Sequence, residues 1–338
     1  MDRVKLGVVG LGLMGDRFSR IISESTRAEL TAVADVAGDR VTEVSGAWGG
    51  RGYARVDEML EKEPGLDGVV IATSDQFHLD PAVACAQAGK QLFVEKPLAL
   101  NQGDCETIIQ AADAAGVTLL VGQTLRFDPR YAAARQAVRD GRLGELVHTF
   151  SRRNNPPTVV EKYGDRVSVA FFLGIHDIDF LIWAIDAKVN RVFASGRRGI
   201  LSARGLDLDD TIFSILNWDN GVISGLENSW WVPADAPGRL YTHLFEAEGT
   251  EGEIHIVPEQ TGLTVRREGV CDYPNAVYAP EVQGRLGGTY RDEIEHFIDC
   301  IVTGCAPLAP GPEAMRAVAV VQAIHESIET GQPVDVNI

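Results

Sequence analysis

Short apolar runs alternate with amphipathic stretches of helical length through the first third of this chain. Residues 4–9 read as a buried strand, and 14–24 as a helix whose apolar positions recur every three or four residues. The alternation continues with strands at 30–35, 68–72, 91–94 and 117–121, and helices at 39–47, 56–61, 81–88 and 104–115. Strands separated by helices predict a parallel sheet covered on both faces, the doubly wound Rossmann arrangement.

The pattern then changes. A helix over 129–139, ended by Asp140-Gly141, leads into strand-like runs at 147–152, 192–197, 211–218, 222–230 and 244–248. One strong helix, 177–185, lies between the first two runs, and helices at 291–303 and 312–330 close the chain. Strands that follow one another in this way predict a mainly antiparallel sheet. The expected fold is therefore α/β: a Rossmann domain over 1–124, then an α+β substrate-binding and oligomerisation domain over 125–338.

Composition narrows the function classes. A length of 338 residues fits about two domains, and 45% hydrophobic residues supply a sizeable core. The net charge of −17 argues against nucleic acid, whose phosphates need clustered Lys and Arg, and against anionic lipid. The five cysteines have irregular spacing and no CxxC pair, which reads as reduced thiols in a cytoplasmic protein. No apolar run reaches the roughly 18 residues of a membrane span, and the N-terminus does not read as a secretory signal.

The first candidate chemistry is Gly10-Leu11-Gly12-Leu13-Met14-Gly15, a GxGxxG between a strand and a helix. Gly10 permits a tight turn, Gly12 leaves room for a pyrophosphate, and Gly15 lets helix and strand pack closely. The helix N-terminus offers free N–H groups and a positive dipole end to phosphates. Asp35 lies 20 residues beyond Gly15, at the end of the second strand. A carboxylate there accepts from the adenine-ribose hydroxyls and repels a 2′-phosphate, so NAD(H) is expected over NADP(H), with nearby Arg40 as a feature that softens the preference.

Beyond these residues the chain carries Ala72-Thr73-Ser74-Asp75 with His78, Glu95-Lys96-Pro97, and Gly174-Ile175-His176-Asp177-Ile178-Asp179. Together with the glycine turn and the closing helices, these resemble the Gfo/Idh/MocA family of sugar and cyclitol oxidoreductases over nearly the whole chain. Glu95-Lys96-Pro97 stands at a strand's carboxyl end, where open α/β sheets bind ligands. A lysine beside a cationic nicotinamide has its charged form disfavoured, which brings it toward useful acid–base range. The resemblance implies that Lys96 is the general acid/base, that Pro97 follows a cis bond, and that His176 faces the substrate and assists proton transfer. It also implies that the active site lies between the domains, and that copies pair through open sheets into homodimers or homotetramers.

Cofactor contacts are expected from Gly10, Gly12, Leu13, Met14, Gly15, Asp35, Thr73, Ser74, Asp75, His78, Glu95, Lys96 and Gln123. Substrate contacts are expected from Arg126, Arg152, Asn154, Phe172 and Asp179; the Arg152-Arg153-Asn154 run is equally a solvent-facing cluster, and Arg126 equally a salt-bridge former. Trp230-Trp231 reads as packing before sugar stacking. His176, Asp177 and Asp179 lack the companions a metal site needs, so no metal is expected. One departure concerns Phe172, where related sugar dehydrogenases often carry an Asp four residues before the histidine. Lys96 and His176 then suffice, or Glu161 or Asp165 substitutes, or ordinary turnover is lost. Two alternatives remain open: a cofactor-binding regulator without turnover, and a glycosidase-like enzyme that retains NAD and oxidises its sugar transiently.

Overall fold

The computed structural model describes residues 3–232, 242–257, 265–267, 270–272 and 276–336; the side chains of residues 165, 242, 265–267 and 270–272 lie outside that description. The chain divides into two compact units, 1–127 with 277–315, and 128–276 with 316–338.

In the first unit β1 (Val4–Val9), α1 (Leu13–Ser23), β2 (Ala28–Ala34), α2 (Gly38–Trp48), β3 (Arg51–Tyr53), α3 (Val56–Lys62), β4 (Gly68–Ile71), α4 (Leu79–Gln87), β5 (Gln91–Glu95), α5 (Gln102–Ala115) and β6 (Leu119–Gly122) follow in order. The sheet is parallel, with strand order β3-β2-β1-β4-β5-β6. Sheets of this type are covered on both faces, and β4 and β6 are buried at every position, which explains their unbroken apolar runs. β3 escaped the sequence reading because Arg-Gly-Tyr is short and largely exposed.

The second unit opens at α6 (Pro129–Arg139), where the Asp128 carboxylate caps the Arg130 N–H and Pro129 takes a first-turn position. It continues with β7 (Leu146–Asn154), α7 (Pro157–Tyr163), α8 (Ile175–Ile185), β8 (Val189–Arg197), β9 (Thr211–Trp218), β10 (Ile223–Ser229), β11 (Thr242–Gly249) and β12 (Glu253–Ile256). Two short strands, β13 (Val265–Arg267) and β14 (Val270–Asp272), form a separate pair.

The chain then returns to the first unit as β15 (Glu281–Val282), β16 (Arg285–Leu286) and α9 (Thr289–Thr303). Residues 277–315 thus pack with the first unit although they lie beyond the boundary expected at 125. Ile294, Phe297 and Ile298 are buried in the same core as Phe18, Phe93 and Leu120. The Phe93 ring meets Phe18 at 5.2 Å and Phe297 at 5.9 Å, both edge-on. The helical spacing announced a buried face on α9 but not which sheet it covers. The division falls within α10 (Gly311–Thr330), and β17 (Val334–Asp335) ends the description.

The second sheet has order β12-β11-β7-β10-β9-β8-β17. Five of its six pairings are antiparallel, and β10 runs parallel to β7. Period-two alternation gives it two unlike faces. Thr149, Ser151, Arg153, Ile212, Leu216, Leu226 and Asn228 are buried on one face. On the other, Phe193, Phe213, Ile215 and Ile223 are each 41–52% exposed. The covering layer includes Tyr131 of α6 and Phe180 of α8, whose rings meet at 4.8 Å, with Phe245 of β11 4.9 Å from Phe180.

Arg153 and Asp177 form a buried two-pronged ion pair at 2.8 and 2.9 Å, and Arg153 also reaches the Tyr131 hydroxyl and His243 Nδ1. Burial, reinforced by Arg153, holds His243 well below the usual imidazole range, so its ring nitrogen accepts from the guanidinium. Asp177→Ala leaves that guanidinium buried without its anion and is expected to cost about 3–5 kcal/mol. The loss will show as a lower urea midpoint, and the Arg153→Met, Asp177→Leu pair will recover most of it. An unchanged midpoint in the single variant would contradict this role.

Candidate active site

The three glycines of the first turn carry three different constraints. Gly10 has φ of +85°, and a Cβ there would stand 2.4 Å from the Thr73 nitrogen at the exit of β4. A Cβ on Gly15 would stand 1.8 Å from the Gly10 oxygen, so α1 can lie this close to β1 only with glycine. At Gly12 a Cβ would meet nothing within 4 Å, and this residue is the N-cap of α1 with no side-chain cap. The opening lies where a pyrophosphate needs it, against uncapped helix N–H groups. The residues therefore fit a dinucleotide.

Asp35 is tied into the same turn. One carboxylate oxygen accepts the Leu11 N–H at 2.6 Å and the other the Ala37 N–H at 2.8 Å. A carboxylate has about four lone-pair sites, so capacity for ribose hydroxyls remains. Arg40 donates twice to the Leu11 carbonyl, at 2.9 and 2.8 Å, and pairs with Glu43. Its guanidinium is thus engaged by the protein rather than held out for a phosphate. Leu13, Val36 and Phe77 are exposed apolar residues just past the ends of β1, β2 and β4. Val36, at 92% exposure, and Phe77 were missed by the sequence reading, because a single apolar residue beside a polar one has no periodicity.

At the exit of β4 the expected contacts separate. The Thr73 hydroxyl donates to the Phe77 carbonyl, the Asp75 carboxylate accepts the Gln76 N–H, and Ser74 precedes a 3-10 turn, Asp75–Phe77. His78 is only 1% exposed, so it is a tie inside the unit rather than the cofactor contact expected of it. Its Nδ1 lies 2.8 Å from the Pro97 carbonyl and its Nε2 3.2 Å from the Thr73 carbonyl. Burial lowers its pKa and favours the neutral ring, whose single N–H donates to one of the two carbonyls; the shorter contact assigns it to Pro97.

Pro97 follows a cis bond from Lys96. Lys96 is half-buried at the end of β5, and its backbone N–H donates to the Glu95 carboxylate at 2.9 Å. Glu95 is buried, and burial raises its carboxyl to about 7 despite the opposing charge of Lys96. Just past β6, Gln123 is 1% exposed, and among the described residues neither of its amide atoms has a partner. An orphaned buried amide costs about 1–3 kcal/mol, which a bound group with a donor and an acceptor would recover. Arg126 takes up the salt-bridge alternative: its guanidinium is buried against the Leu308 carbonyl at 2.8 Å and Glu313 at 2.6 Å.

In the second unit, α8 begins one residue before His176, so His176 and Asp179 do stand one turn apart on a helix. His176 is half-buried and Asp179 fully buried. Asp177 is the buried partner of Arg153, and a residue given only a cluster role thus anchors α8. Arg152 and Asn154 both bind Glu227, at 2.8 and 2.7 Å. By strand alternation they share the face of Phe150 and Ile223, opposite Arg153, which separates the run into two functions. Phe172 packs against Tyr163 and Trp230, each at 5.3 Å between ring centres, in an apolar wall. Trp230 is buried and Trp231 half-exposed over Arg204, which also pairs with Glu161 on the surface. Asn228, buried behind Gly174, has no partner for either amide atom among the described residues.

Among the described residues, His296, Cys300 and Cys305 are the group whose ligand atoms approach one another, but His296 Nε2 already accepts the Leu308 N–H at 2.9 Å. No helix among the described residues is long and apolar enough to cross a membrane.

Comparison with known proteins agrees with this geometry. The chain is 29% identical over 334 residues to the myo-inositol 2-dehydrogenase of Thermotoga maritima, covering 96% of each chain. It is 28% identical over 349 residues to the scyllo-inositol 2-dehydrogenase (NAD(+)) of Bacillus subtilis, covering 99% of this chain and 97% of that one. The scyllo-inositol dehydrogenase of Lactobacillus casei, solved with NAD(H) and scyllo-inositol, superposes with a TM-score of 0.85 at 23% identity over 99% of each chain. Residues 4–123 match the oxidoreductase family's NAD-binding Rossmann fold and 135–336 match its C-terminal alpha/beta domain, so the chain belongs to the Gfo/Idh/MocA oxidoreductase family and is an NAD-binding enzyme.

Proposed function

We propose that this enzyme moves a hydride between NAD and a carbinol carbon of a cyclitol or related sugar derivative, with Lys96 as acid/base and His176 assisting. The observation that carries the reading is the placement of Lys96. It stands at a strand end between a buried glutamate and a proline carbonyl held by His78, in the same sheet that presents the open glycine turn. The inositol dehydrogenases among its relatives support the substrate class.

NAD bound at the glycine turn supplies the hydride acceptor. Asp35 holds the Leu11 end of that turn and keeps a negative charge where a 2′-phosphate would have to sit, which favours NAD(H). Lys96 takes the hydroxyl proton during oxidation and returns one during reduction. Gln123 offers a buried donor and acceptor to the bound dinucleotide. His176 orients the reacting oxygen. Phe172, with Tyr163 and Trp230, gives the substrate a wall that prefers a C–H face or a deoxy carbon to a hydroxyl, because an unpaired hydroxyl loses its water there.

The open sheet face of the second unit supports a homodimer or homotetramer. Its four half-exposed apolar side chains, on β8, β9 and β10, form the kind of patch that marks a protein interface. Four cysteines, Cys85, Cys105, Cys300 and Cys305, are free, which is consistent with a cytoplasmic setting.

Lys96→Ala is expected to keep NAD binding, measured by fluorescence titration, while turnover with inositols falls about 10²–10⁴-fold. Full turnover in that variant would remove the role given to Lys96. Asp35→Ala will weaken NAD(H) and narrow its advantage over NADP(H) in initial-rate assays; a native enzyme that already prefers NADP(H) would contradict the argument. Paired charges at the open face, Phe213→Lys with Ile223→Glu, will reduce the assembly to smaller species in sedimentation velocity. A native protein that sediments as a monomer would refute the interface.

A further inference from the structure

The segment that joins α9 to α10 carries thiol chemistry that the mechanism above leaves unused. Cys300 stands in the last turn of α9, and Cys305 follows the helix-ending Gly304, whose φ of +70° turns the chain back on itself. The turn brings two sulfurs five residues apart to 3.6 Å, which is direct contact. Both are free thiols. Cys300 is 2% exposed whereas Cys305 lies open, so solvent reaches one sulfur and not the other.

The hydrogens of the two thiols suit a bond between the sulfurs. Cys305 donates toward the Cys300 sulfur. His296, one turn earlier in α9, holds its Nε2 3.5 Å from Cys300. Burial lowers the pKa of His296, and Nε2 already accepts the Leu308 N–H at 2.9 Å, so the ring is neutral with its lone pair on that nitrogen. The Cys300 hydrogen therefore points to His296, which leaves a sulfur lone pair facing Cys305. Burial, with the Cys305 contact behind it, pushes the Cys300 thiol up to about 12, so Cys300 stays protonated and is no first target for an oxidant. The segment itself lies along the first sheet. The Leu308 carbonyl holds Arg126 at 2.8 Å, the Ala309 carbonyl accepts the Val121 N–H at 2.9 Å, and Pro310 bridges to Leu120.

We propose that Cys300 and Cys305 form a reversible dithiol–disulfide site closed by hydrogen peroxide, with Cys305 oxidised first and Cys300 resolving it. The Cys305 sulfur attacks one peroxide oxygen; the O–O bond breaks, Cys305 becomes a sulfenic acid, and a water leaves. The Cys300 sulfur then attacks the Cys305 sulfur; the S–O bond breaks, and the departing hydroxide collects the Cys300 proton as a second water. Two thiols lose two electrons in all, and one peroxide gains them. The new bond ties the end of α9 to the segment that braces Arg126 and β6, and it spares Cys305 irreversible oxidation. Disulfides of reducing compartments are of this transient kind.

Trypsin reads the bond directly, because no Lys or Arg lies between Arg291 and Arg316 and one peptide, 292–316, holds both cysteines. The native protein would be treated with limiting hydrogen peroxide, alkylated under denaturing conditions and digested without reductant. That peptide is expected to carry neither alkyl group and to lack two hydrogens, and dithiothreitol before alkylation should restore both alkyl groups. Cys85 and Cys105, both buried, are internal controls that should stay alkylated. Cys300→Ser removes the resolving thiol, so a Cys305 sulfenic acid persists and takes up dimedone several-fold more than the native protein does. Cys305→Ser should leave Cys300 reduced. The oxidised native protein should melt a few degrees above the reduced form. A native Cys305 that goes straight to sulfinic acid, equal dimedone labelling of native and Cys300→Ser proteins, undiminished oxidation of Cys300 in Cys305→Ser, or a melting point that falls on oxidation would each overturn the proposal.

Discussion

The closeness of α1 to the strand that feeds it governs the architecture of the first unit. With a Gly15 Cβ position only 1.8 Å from the Gly10 oxygen, and a Gly10 Cβ position 2.4 Å from the Thr73 nitrogen, three segments touch through bare backbone. That contact fixes where the N-terminus of α1 points and leaves the space at Gly12 open. A methyl group at either contact would push the helix outward and remove the surface on which phosphates are held. Asp35 secures the same turn from the next strand, so the group proposed to select the ribose also braces the loop.

The carboxyl end of the sheet is held by polar ties that are buried and few. His78 bridges the loop after β4 to the one after β5, and Glu95 accepts from the backbone of the residue that follows it. Buried polar groups with single partners are stiff, because no water stands ready to replace a broken bond. Lys96 thus emerges from a turn fixed on both sides. The second unit uses the same logic in its core, where Arg153 and Asp177 fasten α8, and with it His176, to β7.

Much of this was readable before the structure. Strand-and-helix alternation gave the parallel sheet, and each glycine of the first turn met the constraint assigned to it. The choice between substrate contact and salt bridge at Arg126, and the places of His78 and Asp177, stayed open for a shared reason: sequence gives a polar residue's place along the chain but not the depth at which its side chain ends. Arg152 and Arg153 make the point within one strand, since alternation sends one to Glu227 and the other to Asp177. The return of α9 was hidden because an apolar stripe does not name the surface it covers. Glu293 lies on that stripe, and a glutamate inside a helical run reads as solvated until its burial is known.

Chemical rescue probes the central claim, that the Lys96 amine exchanges the substrate proton, most directly. NADH formation from an inositol by Lys96→Gly would be followed at rising concentrations of small primary amines, at a pH where part of each amine is neutral. The account predicts a rate that climbs with amine concentration and with amine basicity, from a nearly silent baseline. A variant that turns over as fast as the native enzyme without added amine would contradict it.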